Sequence, residues 1–195
     1  MSKYKFFELA GVDATGKTTA ADNLMAKING KPYACPPEAI SSVRRAVGRY
    51  SPTASYHFYL SGNHIAAEEI GDLLQDNHVV SDRYLLSTLT HHSVSMGIDL
   101  PIPDDLPLMP DFVIYTHAPM DVIVTRLEER AKETGEPLKE HENPEFLAGM
   151  IEKYEGYIKQ LDSVVSVDTS LGTPEDTLNF ICDGISKIGF NFTNF

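Results

Sequence analysis

The stretch Gly11-Val-Asp13-Ala14-Thr15-Gly16-Lys17-Thr18-Thr19 narrows what this chain can fold into more than any other. It fits G-x-x-x-x-G-K-[ST] without mismatch, the spelling of a loop that cradles phosphate between a strand and a helix. Gly11 and Gly16 let the backbone turn tightly enough for the N–H groups of residues 14 to 19 to point inward at a polyphosphate. Lys17 is placed to reach the β and γ phosphates, and the Thr18 hydroxyl to sit on a Mg²⁺. The flanks agree with this reading. Residues 4–10 are rich in strand formers, and Ala21, Leu24 and Ile28 recur at helical spacing after Lys17. Strand, glycine-rich turn and helix follow in the required order.

The rest of the chain repeats that alternation. The sequence predicts strands at 31–34, 78–81, 111–116 and 164–167, with helices at 38–49, 54–75, from 84 onward, from 119, from 144 and from 174. The helix at 54–75 is expected to bury Leu60, Ala67, Ile70 and Leu74 along one stripe. Residues 97–110 hold four prolines and read as an irregular connection. Asn143-Pro144 and Thr173-Pro174 are helix starts, each a side-chain cap followed by a residue with no N–H to leave unpaired. Strands alternating with helices imply a parallel sheet covered on both faces. The expected fold is α/β, a P-loop three-layer sandwich with a five-stranded parallel sheet and a small lid at about 130–144. With 195 residues and no repeat or linker, one domain spanning 1–195 is expected.

The net charge of −12 argues against nucleic acid or an anionic membrane as the main partner. No apolar run is long enough to span a bilayer. No secretory signal is evident, and Cys35 and Cys182 lack metal spacing and suit a reducing, cytoplasmic setting. Positive charge must then be concentrated locally, and the six arginines do cluster. Arg44, Arg45 and Arg49 share one segment, Arg83 follows Asp82, and Arg126 and Arg130 share a helix face. Arginine suits phosphate because its planar fork engages two oxygens at once. Arg49 reads as solvated surface.

Two features turn a nucleotide binder into a phosphoryl-transfer enzyme. Asp82-Arg83 closes a strand, and in open α/β sheets ligands bind beyond the strand C-termini. Asp82 is expected to hold Mg²⁺ opposite Thr18, and Arg83 to meet the acceptor's phosphate. The plainer alternative is an Asp that caps the next helix. The second feature is Arg126 and Arg130 leading into a polar stretch, 132–142, able to close over the site. Surface salt bridges with Glu128, Glu129 or Glu133 are the alternative there.

With these residues in hand, the sequence resembles the thymidylate kinases, P-loop nucleoside monophosphate kinases that turn dTMP into dTDP with Mg-ATP. The resemblance rests on the phosphate loop with Asp13 inside it, Ser81-Asp82-Arg83-Tyr84-x-x-Ser87, Pro110-Asp111 and Arg126-Leu127-x-x-Arg130. It implies that Gly11, Ala14, Thr15, Gly16, Lys17, Thr18 and Thr19 bind ATP, with Arg126 near the adenine. It implies that Asp13 accepts from the deoxyribose 3′-hydroxyl, and that Arg83 with Arg44 or Arg45 holds the acceptor phosphate. Lys17 and Arg83 are then catalytic. Ala14 stands where one subgroup carries a loop arginine, so the assisting cation falls to Arg130, with Lys132 or Lys139 behind it. A homodimer joined through the long helix is also implied.

The base-reading positions depart from the family. Leu60 stands where a stacking aromatic is expected, His64 where an arginine is, and His91-His92 where a polar or aromatic pair is. Ser87 completes this acceptor side. Ala10 replaces the glutamate usual before the first glycine, although Glu8 lies two residues earlier. The three histidines raise the alternative of another or modified pyrimidine, since neutral imidazole both donates and accepts; His91 and His92 as plain polar residues are the other possibility. A deoxynucleoside kinase is a further alternative, and it needs a carboxylate base for the 5′-hydroxyl. A GTPase-type switch lacks its Asn-Lys-x-Asp element here. A nucleotide binder without catalysis is the last reading.

Overall fold

A computed structural model describes residues 3–192; the ends of the expected unit, residues 1, 2 and 193–195, lie outside it. Five strands, β1 (Phe6–Ala10), β2 (Lys31–Ala34), β3 (Val79–Asp82), β4 (Phe112–His117) and β5 (Val164–Asp168), form one parallel sheet in the order β2-β3-β1-β4-β5. β1 is central and every one of its five residues is buried, as a strand covered on both faces must be.

The alternation of β1 assigns its side chains to two cores. Phe7 and Leu9 pack with α1 (Lys17–Ile28) and α8 (Pro174–Lys187), where Phe7 stacks on Phe112 at 5.2 Å between ring centres. Phe6 and Ala10 face the larger core, built from α4 (Pro52–Leu73), α5 (Leu85–Met96), α6 (Met120–Thr134) and α7 (Pro144–Ile158). The three layers and the five parallel strands are those the sequence implies. Among the described residues, no helix is long and apolar enough to cross a membrane.

The starts of α7 and α8 follow their capping chemistry. Asn143 accepts from Phe146 N–H (2.9 Å), and Thr173 from Asp176 N–H (3.2 Å) while Asp176 returns a bond to Thr173 N–H (2.8 Å). Three expectations need correction. The helix at 38–49 is two short pieces, α2 (Glu38–Ser41) and α3 (Arg44–Val47). Ile40, Val43 and Val47 do recur at helical spacing, but neither piece contains a buried residue and Val43 is left exposed, so no packing against the core holds the segment as one helix. Ile40 rests instead on Gly62 of α4, where a Cβ would meet its Cδ1 at 2.5 Å. The long helix starts at Pro52, capped by Ser51, and buries Tyr56, Asn63, Ala66, Ala67 and Ile70. Ala67 and Ile70 of the expected stripe are buried, whereas Leu60 and Leu74 at its ends are only partly so. The third strand runs one residue later, so Asp82 is its last residue.

The order of strands fixes where a ligand can go. The chain runs from β1 outward to β2, back through β3, and then across to β4 on the other side of β1. A crevice opens beyond the carboxyl ends of β1, β3 and β4, where the connections diverge. The phosphate loop, Asp82-Arg83 and Thr116 all end there.

Candidate active site

The loop between β1 and α1 is held by close approaches that only certain residues allow. Gly11 has φ +140°, and a Cβ there would meet the Thr116 carbonyl at 2.3 Å. Gly16, at φ +76°, is the residue before α1. Thr15 is buried, its hydroxyl donating to Val12 O (2.8 Å) and paired with Thr116 Oγ1 (2.9 Å). Thr15 therefore offers a ligand its backbone N–H and not its hydroxyl.

Lys17 is buried at the first position of α1 and donates to Val12 O (2.6 Å), with Asp13 Oδ1 at 3.9 Å. Burial and the charge of Arg83 push its ammonium down to about 7, against the pull of Asp13 and Asp82. Thr18 donates to Asp82 Oδ2 (2.7 Å), while Asp82 Oδ1 is buried and has no partner among the described residues. A hydroxyl and a carboxylate with one orphaned oxygen are the hard oxygen donors that Mg²⁺ takes.

Arg83 follows at φ +81°, a left-handed backbone that costs a non-glycine residue about 1–3 kcal/mol. Its N–H donates to Leu9 O (3.1 Å), and Ser81 Oγ donates to its carbonyl. The guanidinium donates to Asp13 Oδ1. Burial pushes the Asp13 carboxyl up, but the His141 hydrogen bond and the charges of Arg83 and Lys17 outweigh it and hold it well below the carboxylate range.

Adjacent residues of the loop face two cavities. Ala14, with Gly16 and Thr19, lines one of about 390 Å³ closed by Arg126, Arg130, Thr169 and the turn at Gly172-Thr173. Arg126 donates to Ala14 O (3.2 Å), Thr169 Oγ1 (3.0 Å) and Thr169 O (2.8 Å), which fixes it against this wall. Asp13 lines the other, of about 320 Å³, with Arg44, Tyr59, Arg83, Ser87, His91 and His141 among its walls. The loop thus stands between two chambers, each with arginine at its mouth.

The structure separates the expected acceptor residues. Arg44 lines the second cavity and Arg45 does not. Leu60 and His64 do not line it either; their neighbours in the chain, Tyr59 and Asn63, do. Asn63 is spent on its surroundings, its oxygen accepting from Leu85 N–H (3.0 Å) and its nitrogen donating to Tyr59 O (2.7 Å) and Thr88 Oγ1 (3.0 Å). His92 is a satisfied core histidine. A carbonyl can only accept, so its Nδ1 donates to Thr88 O (2.7 Å), and its Nε2 accepts from Ser55 (3.1 Å). Both nitrogens are engaged within the protein, although the ring is part of the cavity wall. His91 keeps its ring free of hydrogen bonds among the described residues, packed edge-on to His92 (5.1 Å) and His141 (5.8 Å). Burial, then the neighbouring cationic groups, pushes it down to about 4, so it is neutral. Ser87 shares a hydrogen bond with Tyr154 (2.9 Å).

The polar stretch after α6 is organised by an acid. Glu142, in the short 3₁₀ turn Glu140–Glu142, accepts from Lys139 N–H (2.7 Å) and from Arg130 (2.8 Å), with Lys139 Nζ at 3.7 Å. The expected assisting cations, Arg130 and Lys139, are thus neutralised by one buried carboxylate, and the alternative partners Glu128, Glu129 and Glu133 are not used. Lys132 lines neither cavity. His141 was missed: its Nε2 lies 3.6 Å from Asp13 Oδ2, joining this turn to the phosphate loop. Its signal was being the lone imidazole in an otherwise acidic stretch. Thr169 and Thr173 were also missed, although they follow the carboxyl end of β5.

Beneath Arg83, Glu8 is fully buried on β1. Burial pushes its carboxyl up to about 8, against the pull of the Leu86 and Tyr84 N–H groups. The folded chain therefore holds a proton that the unfolded chain, near the ordinary value of 4.5, has released. This contribution to stability is full below about pH 4.5 and is lost as the pH rises to about 8. Glu8→Gln removes the titrating group, so the melting temperature of the native protein is expected to fall relative to that of Glu8→Gln between about pH 5 and about pH 8. Parallel melting curves for the two proteins across that range would refute the assignment.

Comparison with known proteins agrees with this geometry. The thymidylate kinase family profile matches residues 9–181. The chain is 30% identical to a probable thymidylate kinase of Methanococcus aeolicus, over 82% of this chain and 81% of that one. It is 28% identical to the probable thymidylate kinase of Methanococcus vannielii, over 92% and 93%. Among solved structures, thymidylate kinase from Candida albicans superposes with a TM-score of 0.70 at 17% identity, covering 95% of this chain and 92% of that one. Deoxyadenosine kinase from M. mycoides with bound dATP superposes with a TM-score of 0.69 at 16% identity, covering 94% and 100%. The last two speak for the fold. The chain belongs to the thymidylate kinase family and is an ATP-dependent nucleotide phosphotransferase of the nucleoside monophosphate kinase class.

Proposed function

We propose that this protein moves the γ-phosphoryl of Mg-ATP onto a deoxynucleoside monophosphate, with dTMP the preferred acceptor. The observation that carries the reading is the placement of Asp13 and Ala14: neighbours in the phosphate loop, they line two separate cavities. ATP belongs on the Ala14 side, where Arg126 and Thr169 form the far wall and Gly11, Gly16, Lys17, Thr18 and Thr19 supply the phosphate cradle. The acceptor belongs on the Asp13 side, its phosphate on Arg83 and Arg44, its sugar near Asp13, and its base toward Tyr59 and His91. Thr18 and Asp82 would hold Mg²⁺, which supplies charge neutralisation on the phosphates when bound.

The chemistry asked of the chain is positioning and charge compensation. Lys17 and Arg83 converge on one oxygen of Asp13, the loop residue that lines the acceptor cavity. The acceptor phosphate is already an oxyanion, so no general base is needed. Among the residues lining the acceptor cavity, Asp13 is the sole carboxylate, and it is committed to Arg83, Lys17 and His141. A deoxynucleoside kinase would need a free carboxylate there to take the 5′-hydroxyl proton. Residues 130–144 act as the lid, with Glu142 holding Arg130 until phosphate competes for it. The family resemblance adds a homodimer, its mass readable by light scattering, with α4 as the expected interface; the two unpaired cysteines suit a reducing, cytoplasmic setting.

An ATP-coupled assay across dTMP, dUMP, dCMP, dGMP, dAMP, the ribonucleotides and thymidine tests the reading. Turnover is expected with dTMP and none with thymidine. Thymidine turning over faster than dTMP would overturn the proposal in favour of a nucleoside kinase. Turnover confined to another monophosphate would keep the class and correct the base.

A further inference from the structure

Glu8 sits at the middle of the central strand with no solvent exposure, a position where an aliphatic side chain would pack without penalty. A carboxyl buried there is costly unless it satisfies something that would otherwise go unpaired. What it satisfies is the start of α5. The residue preceding that helix, Tyr84, provides no side-chain cap. The orphan N–H of Leu86 donates instead to Glu8 Oε1 (3.2 Å), and the Tyr84 N–H leans on the same carboxyl. Oε2 has no partner among the described residues. The helix is thus capped from another strand, the one that runs directly into the phosphate loop. Between the two anchored points lies Arg83 with its left-handed backbone, its N–H bonded to Leu9 O (3.1 Å) on that same strand.

We propose that Glu8 is a positioning residue for Arg83: by capping α5 from β1, it fixes the turn from which the guanidinium reaches the acceptor phosphate. The inference rests on the role given to Arg83 above. Cys35, Tyr84 and Tyr154 are the titratable groups around the carboxyl, and burial pushes each of them up, so they stay neutral beside it.

The test compares Glu8→Gln, whose amide oxygen can still accept from Leu86, with Glu8→Met, which fills the space and cannot accept. Steady-state kinetics with dTMP and ATP are expected to show Glu8→Gln within about threefold of the native enzyme. Glu8→Met is expected to raise the dTMP KM or lower its kcat/KM by about 10- to 100-fold, the scale of a displaced positioning group, with the ATP KM unchanged. If Glu8→Met fails to fold, Glu8→Asp, which withdraws the carboxyl by one methylene, is expected to show the same one-sided loss. Equal losses for both substrates, or no loss for either, overturn the inference. In an Arg83→Ala background, Glu8→Met is expected to add nothing to the dTMP defect; full additivity also overturns it. If Arg83→Ala itself leaves dTMP kinetics untouched, the active-site reading fails first, and this inference with it.

Discussion

Replacing Lys17 with alanine is expected to lower kcat by at least about 10³-fold while leaving the fold intact. The expectation follows from where the ammonium lies and how it is kept. It is buried at the first position of α1, held by the Val12 carbonyl at 2.6 Å and within 3.9 Å of Asp13. Water reaches it poorly, so its attraction for a transferring phosphoryl is only weakly screened. A single fixed donor aimed at developing charge is worth about 10²–10³ in kcat, and a full cation in phosphoryl transfer about 10³–10⁵. The same burial depresses its pKa and makes the charged side chain a cost to folding. The melting temperature of Lys17→Ala is therefore expected to equal or exceed that of the native protein. ADP release with dTMP and thermal melting of both proteins check the two halves. Turnover near the native rate in the alanine variant would remove Lys17 from the mechanism.

The second large effect is expected at Arg83. Its guanidinium is paired with Asp13 and lines the acceptor cavity, so its removal should fall on the acceptor and spare ATP. Two charge-assisted hydrogen bonds to phosphate are worth about 3–6 kcal/mol together, or about 10²–10⁴-fold in kcat/KM for dTMP. Alanine confuses this with backbone strain, because position 83 has φ +81°. Arg83→Gly separates the two, since glycine adopts that backbone freely. The glycine variant is expected to melt no lower than the alanine variant and to lose dTMP kcat/KM to the same degree. A dTMP kcat/KM within about threefold of native in Arg83→Gly would show that the backbone, and not the guanidinium, matters.

The parts of the site that obey short-range rules were legible in the sequence. The phosphate loop has a spelling because its backbone conformations admit few residues: Gly11 faces the Thr116 carbonyl and Gly16 has a positive φ. Asp82-Arg83 was legible because the end of a buried strand is easy to place, and the caps at Asn143 and Thr173 because they act within four residues. The acceptor wall was not legible, for a geometric reason. A shift of one residue along α4 rotates a side chain by about 100°, and matching positions to the family pattern put Leu60 and His64 where Tyr59 and Asn63 line the cavity. His92 looked like a ligand because its partners, the carbonyl of Thr88 on its own helix and Ser55 on another, are invisible in a linear reading. Arg130 looked free because nothing local marks Glu142 as the buried carboxylate that claims it. The break between α2 and α3 was not legible because the apolar pattern Ile40, Val43 and Val47 does not say whether a core lies within its reach, and here neither short helix buries a residue.

Arg44 approaches the acceptor cavity from that broken segment, where neither short helix contains a buried side chain and Ile40 on Gly62 is its main purchase. A segment with so little buried surface opens at small free-energy cost. If Arg44 holds the acceptor as proposed, the monophosphate supplies part of the ordering that keeps it in place, and that ordering subtracts from its affinity. Guests that tighten the segment unequally will differ in turnover even where their phosphates make identical contacts. On the proposed reading, selectivity is divided between the walls that face the base and a remote arm that closes only as well as its occupant allows.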